Sequence, residues 1–234
     1  MIGMNNITGI DVAQALSLPG RVYIGFDAIR DPENPRKVAK KPRCKGKMGV
    51  AASDPDDLFW SLDELLEIEG QYVGVNMNHP ILLQNDTKLI CIDADCKGRA
   101  EGEPIHQAIK DLKAWAIEQG HLYETSISNQ GYHIWLTVDA SLELAKLKPL
   151  SKGQEVELFG FAGLKKNVLL TGATMSGQLQ LEPVDLASVL NQCGFEFDKP
   201  ELPIVQESQI AHTKHDVITA FNRSQTTREQ RTRD

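Results

Sequence analysis

The chain has 234 residues, 41% hydrophobic and 24% charged, enough apolar content to bury one larger domain or one and a half. A net charge of −7 and a pI near 5.4 exclude a protein that holds nucleic acid through its overall charge. No apolar run approaches the roughly 20 residues that cross a bilayer. The opening MIGMNNITGID lacks the basic-then-apolar order of a secretory signal, so a cytoplasmic protein is expected.

In chain order, residues 10–18 read as a short helix stopped by Pro19-Gly20, and RVYIGF (21–26) as a strand. A basic segment follows, containing Arg30, Arg36, Lys37, Lys40, Lys41, Arg43, Lys45 and Lys47, opposed locally only by Asp31 and Glu33. Its prolines and low apolar content predict an irregular loop. As a patch of one sign it points to a polyanion contact, although a solvated loop would look the same. Ser53 or Asp54 then caps a predicted helix with Leu58, Leu62, Leu65 and Leu66 on one face, ended by Gly70.

YVGVNM (72–77) and TKLICIDAD (87–95) read as strands. After a polar turn through 97–102, Pro104 opens a helix that turns Ile105, Ala108, Ile109, Leu112, Trp115 and Ala116 to the core, as far as Gly120. Strands at 122–127 and 132–138 are joined tightly through Ser128-Asn129-Gln130-Gly131, which predicts a hairpin. EVELF (155–159) and VLLT (168–171) continue the β-rich half, and a helix over 183–193 ends at Gly194.

Residues 1–197 are expected to form one domain. Residues 198–234 read as a linker and the start of a helical segment around 215–223, as if a longer protein continued. Cys44, Cys91, Cys96 and Cys193 form no C-x-x-C pair, which predicts free, largely buried thiols. The order of elements, an α/β first part followed by mostly antiparallel strands with helices on one side, places the fold in the α+β class.

Three signals carry chemistry. In Asp93-Ala94-Asp95, period-two geometry turns both carboxylates to one face, where they repel unless a cation sits between them. A bare D-x-D equally describes a strand running out into a solvated turn. In the second signal, Ser126 to His133, small polar residues and Gly131 deliver a histidine onto a strand; such a histidine is also a common structural residue. The third is Glu157 inside the apolar VELF strand, followed by Lys166 and Thr171-Gly172.

Together they make a set of parts for nucleotidyl transfer. Asp93, Asp95 and Glu157 are the candidate catalytic and metal-binding carboxylates, holding two Mg²⁺ or Mn²⁺ ions through hard oxygen ligands. Ser126, Ser128, Gly131, His133, Lys166 and Thr171 are the candidate nucleotide-binding residues. Arg36, Lys37, Lys40, Lys41, Arg43, Lys45 and Lys47 are the candidate contacts to DNA or phosphate.

The hhhDhD strand, the S-x-S-x-x-G-x-H-I-W segment and the later h-E-h-F strand resemble motifs I, II and III of archaeo-eukaryotic primases, and more narrowly the primase–polymerase domains of phage and plasmid replication proteins. Lys41-Pro42, Ala51 to Pro55 and Trp60-Ser61 match that subgroup upstream, so the resemblance extends from about Val22 to Thr171. It implies an α/β N-terminal module packed on an RRM-like sheet with the active site between them, metal on Asp93, Asp95 and Glu157, and nucleotide on His133 with Ser126 or Ser128. Many relatives carry arginine where Lys166 stands; lysine keeps the charge and loses the bidentate fork.

The function this implies is template-directed priming or DNA synthesis on single-stranded DNA from dNTPs or rNTPs, in phage or plasmid replication, with a helicase as a possible C-terminal companion. The alternative is a catalytically silent single-stranded-DNA-binding or initiator module of the same fold. A sugar-nucleotide transferase would need no basic segment, and a rolling-circle nickase would need a His-x-His pair that the chain lacks.

Overall fold

The computed structural model describes residues 7–33, 38–51, 53–95, 107–129, 131–143, 147–148, 155–161 and 166–197. The expectations for Arg36 and Lys37, Cys96, the turn at 97–102, Pro104, Ile105 and everything from 198 onward lie outside these residues.

Two five-stranded sheets carry the chain. After helix α1 (Ile10–Leu16), strands β1 (Tyr23–Arg30), β2 (Val38–Cys44) and β3 (Lys47–Met48) run as a meander. They are followed by β4 (Tyr72–Asn76), β5 (Ile81–Leu82) and β6 (Thr87–Asp95). Helix α2 (Gln107–Glu118) leads to β7 (Leu122–Thr125) and β8 (Tyr132–Asp139). Then come β9 (Leu147–Lys148), β10 (Glu155–Phe159), β11 (Asn167–Leu169), helix α3 (Leu186–Gln192) and β12 (Glu196–Phe197).

The first sheet has the order β11-β4-β1-β2-β3 and the second β10-β6-β8-β7, with β5 on one end of β6 and a small β12-β9 pair apart. Every pairing within these sheets is antiparallel. The α+β class holds. The expected α/β character of the first part does not, because its strands pair antiparallel without a crossover helix, and β11 returns from late in the chain to complete the sheet.

β6 explains its own apolar run. Ile90, Ile92 and Ala94 turn to a core shared with Ala108, Ile109, Leu112 and Ala116 of α2 and with Leu186 and Leu190 of α3. Leu89 and Cys91 turn the other way, into a second core with Tyr23, Val73, Val75 and Leu16. A strand buried on both faces reads as a continuous apolar stretch. α2 ends as its glycine predicts: Gly120 takes φ +71°, its N–H reaches Ile117 O at 3.0 Å, and His121 N–H reaches Ala116 O at 2.9 Å. Cys44, Cys91 and Cys193 are free and buried, as expected. No helix among the described residues is long and apolar enough to cross a membrane.

Two further expectations fail. The basic segment contains regular strands, β2 and β3, and not only a loop. The helix predicted after Ser53 is instead two 3-10 turns, Asp56–Leu58 and Leu62–Glu67. Between them the backbone of Trp60 pairs with that of Tyr23 at 2.9 and 3.0 Å. Phe59 and Trp60 enter separate cores, which requires extended backbone and breaks the helix. Leu66, expected on the apolar face, is 74% exposed.

The second turn starts at a Ser61–Glu64 capping box. Glu64 accepts from Ser61 N–H at 3.0 Å, from both terminal nitrogens of Arg21 at 2.6 and 2.9 Å, and from Lys45 Nζ at 3.2 Å. The Ser61 N–H first, then the Arg21 guanidinium, hold its carboxyl down to a pKa of about 2. A depressed carboxyl stabilises the fold above its ordinary value near 4.5 and stops doing so as pH falls toward 2. The thermal midpoint of the wild type is therefore expected to fall more steeply over that window than that of Glu64→Gln. Parallel melting curves for the two proteins across the window contradict this assignment.

Candidate active site

The pairing register builds the site. Glu157 on β10 lies opposite Asp93 on β6, Asp93 lies opposite His133 on β8, and His133 lies opposite Glu124 on β7. Directly opposed residues of an antiparallel pair share a face with Cβ atoms about 4.5–5.5 Å apart. Four neighbouring strands thus present Glu157, Asp93, His133 and Glu124 as one transverse row. The row lies on the face that, two residues along each strand, carries the core residues Phe159, Cys91, Trp135 and Leu122. Asp95 follows Asp93 by two positions at the end of β6, and its side chain lies outside the described residues.

The row runs from dry to open. Glu124 is 0% exposed, His133 1% and Asp93 9%, while the Glu157 side chain is 36% exposed. His133 Nδ1 sits 2.9 Å from Glu124 Oε1, and Nε2 lies 3.8 Å from Asp93 Oδ1. Against an ionised Glu124, which only accepts, Nδ1 carries a proton and Nε2 is the atom turned toward the acidic end of the row. Burial lowers the affinity of this imidazole for a proton. The hydrogen bond to Glu124 and the charges of Asp93 and Glu124 outweigh it, and the net shift is upward.

The turn joining β7 to β8 brings the small polar residues in. Ser126 Oγ and Ser128 Oγ are 3.0 Å apart. Ser126 N–H bonds Gly131 O, and Asn129 N–H bonds Ser126 O, each at 2.9 Å. Asn129 takes φ +59°, a left-handed position that asparagine tolerates. Ile127 plugs the turn into a core with Ile24, Phe26 and Phe59 of the first part of the chain, and Arg30 Nη2 donates to Ile127 O at 3.3 Å. The candidate nucleotide-binding turn is therefore clamped against the first sheet.

Lys166 and Glu157 pair with one another, Lys166 Nζ standing 3.1 Å from each carboxylate oxygen and 5.2 Å from the centre of the Phe159 ring. With both side chains this exposed, the pair is worth about 0–1 kcal/mol, so either partner exchanges readily for another counter-ion. Thr171 is committed inward. Its N–H donates to Glu124 Oε2 at 2.7 Å, and its hydroxyl lies 3.0 Å from that oxygen and 2.6 Å from Thr125 O.

The basic segment divides by strand alternation. Arg43 Nε donates to Asp27 at 2.7 Å, Lys45 pairs with Glu64 at 3.2 Å, and Lys47 with Asp54 at 2.6 Å. Acids distant in sequence therefore hold much of the charge that looked unopposed. Lys41 stands opposite Asp27, on the Arg43 face of β2. Lys40 faces the other way, with Val38 and Ala28, which pack on the core containing Ile127. Its charge reaches His133 and Cys91, and opposes protonation of the imidazole.

The donor chemistry of Asp93 and Glu157, carboxylates at directly opposed positions of adjacent strands, fits hard cations. Among the described residues no three His, Cys, Asp or Glu side chains converge on one point, and the triplet depends on Asp95. Glu124 was not anticipated. Its signal was the one used for Glu157, an acid inside an apolar strand, here in LYET two residues before Ser126. Compared with known families, the chain matches no family model, and no curated protein matches it. The primase–polymerase resemblance rests on its sequence motifs alone.

Proposed function

We propose that the chain is a template-directed primase or DNA polymerase domain that acts on single-stranded DNA in the cytoplasm. The observation that carries this reading is the register setting Glu157 opposite Asp93 and Asp93 opposite His133. The second sheet supports it too. Counting only β6, β7, β8 and β10, its order is fourth-first-third-second, as in an RRM-like sheet, with α2 after its first strand.

Asp93, Asp95 and Glu157 would hold two Mg²⁺ or Mn²⁺ ions. Metal held there would supply activation of the primer 3′-hydroxyl and charge neutralisation for the leaving pyrophosphate. The chain's own groups do the positioning. His133 Nε2, protonated, donates to a phosphate oxygen, the Ser126 and Ser128 hydroxyls and the Gly131 amide supply further donors, and Lys166 supplies a point charge once it leaves Glu157. The 3′-oxygen bonds the α-phosphorus as the bond to pyrophosphate breaks, and the hydroxyl proton passes to solvent water. The test is extension of primed and unprimed single-stranded templates by the purified protein with dNTPs or rNTPs and Mg²⁺ or Mn²⁺. Template-complementary products support the proposal. Tight single-stranded DNA binding without product in any combination would favour the silent initiator module.

Among the described residues of the basic segment, Lys40 lies on the face of β2 away from Lys41 and Arg43, and its charge reaches His133. Lys40→Ala is expected to reduce the slope of log affinity for a labelled oligonucleotide against log salt by about 0.7, the value of one single-strand phosphate contact. Lys45→Ala is expected to leave the slope unchanged, because Lys45 already pairs with Glu64. Anisotropy titrations at several salt concentrations check this; equal effects of the two substitutions contradict it.

A further inference from the structure

We infer that Glu124 is a positioning residue that locks the nucleotide-binding histidine and the Thr171–Gly172 turn into one unit, so that nucleotide affinity depends on a carboxylate that never touches the nucleotide. The inference rests on the nucleotide-binding role proposed above for His133.

The geometry is specific. Glu124 is fully buried, and its two oxygens serve two different elements. Oε1 takes His133 Nδ1 at 2.9 Å. Oε2 takes Thr171 N–H at 2.7 Å and Gly172 N–H at 2.8 Å, with the Thr171 hydroxyl at 3.0 Å. Gly172 holds φ +64°, so the turn places successive N–H groups on a single oxygen. Ala173 N–H bonds Thr171 Oγ1 at 3.0 Å, and Thr125 N–H bonds Ala173 O at 2.8 Å, which fastens the turn along β7. A buried carboxylate is costly unless donors surround it, and here the donors come from the two segments that frame the candidate nucleotide site.

Glutamine at this position breaks the arrangement in a defined way. An amide has one accepting oxygen and one donating nitrogen. If the oxygen stays on the turn, the NH₂ faces His133 Nδ1, which must give up its proton and accept. The ring then offers its proton from Nε2 alone and loses the charge-assisted bond at Nδ1 that fixes its orientation. If the amide turns round, the Thr171 and Gly172 N–H groups lose their acceptor.

The experiment measures the His133 ring ¹⁵N shifts, the dNTP KM and kcat, Mn²⁺-dependent dNTP binding and oligonucleotide affinity for wild type and Glu124→Gln. Expected are a protonated Nδ1 in wild type that is lost in the variant, a rise in dNTP KM and Kd of about tenfold or more, a smaller change in kcat, and unchanged oligonucleotide affinity. Should Glu124→Gln not fold, Glu124→Asp serves. It keeps the charge but is one methylene too short to reach both partners, so KM rises in the same direction. A variant that binds dNTP as wild type does overturns the Glu124 assignment alone. A wild type that binds no dNTP overturns the proposed function as well.

Discussion

On the proposed function, alanine at both Asp93 and Asp95 is expected to lower primer extension by roughly 10³-fold or more, because the two divalent ions proposed there would contribute several kcal/mol to the transition state and each 1.36 kcal/mol is a factor of ten. The fold should survive. Asp93 lies next to Glu157, the open end of the row, with His133 Nε2 at 3.8 Å, and its removal deletes no packed apolar group. Asp93→Asn keeps the shape and loses the charge, so it should be as inactive as Asp93→Ala; if it retains activity, the carboxylate acts through packing and not through a cation. A gel assay on primed single-stranded template, with melting curves of each variant alongside, reads both quantities.

The second large effect is on stability. Trp135 on β8 is fully buried, lies between Leu122 and Cys91 in register, and joins the core that holds the second sheet against Tyr23, Val73 and Leu16. Trp135→Ala is expected to cost about 3–5 kcal/mol through the cavity it leaves. At about 2–4 °C per kcal/mol for a domain of this size, that lowers the thermal midpoint by roughly 10 °C. Trp135→Phe should behave differently. The indole Nε1 has no hydrogen-bond partner among the described residues, so phenylalanine removes a buried donor while leaving most of the ring volume in place. Its cost should stay within about 1.5 kcal/mol. Equal melting losses for the two variants would show that the indole is valued for something other than its volume.

Trp135 also links stability to the site, since it follows His133 by two residues on the same face. Loosening this position should therefore disturb the row above it. Buried residues of this kind were legible in the sequence. The LICI run of β6, the β7–β8 hairpin and α2 with its Gly120 stop all declare themselves by periodicity and punctuation, and periodicity reflects burial directly. Asp93, His133 and Glu157 could be named for the same reason, each being a polar residue inside an apolar strand.

What escaped was decided by partners far away in the chain. The segment from Val38 to Met48 has too little apolar content to read as strand. It becomes strand because β1 pairs along it, and because Asp27, Glu64 and Asp54 accept its Arg43, Lys45 and Lys47. The leucines from Leu58 to Leu66 have helical spacing, yet Phe59 and Trp60 are drawn into different cores and force the backbone to extend. Glu124 carries no signal in the sequence beyond that of an acid inside an apolar strand; it stands out only because three registers line it up with His133, Asp93 and Glu157.

The most direct test of the account is calorimetric titration of dNTP into the wild type and into Asp93→Ala/Asp95→Ala, with and without Mn²⁺. Saturable binding that requires the metal is expected in the wild type and is expected to disappear in the variant. Nucleotide binding that persists in the variant, or that ignores the metal in the wild type, would contradict the proposed function.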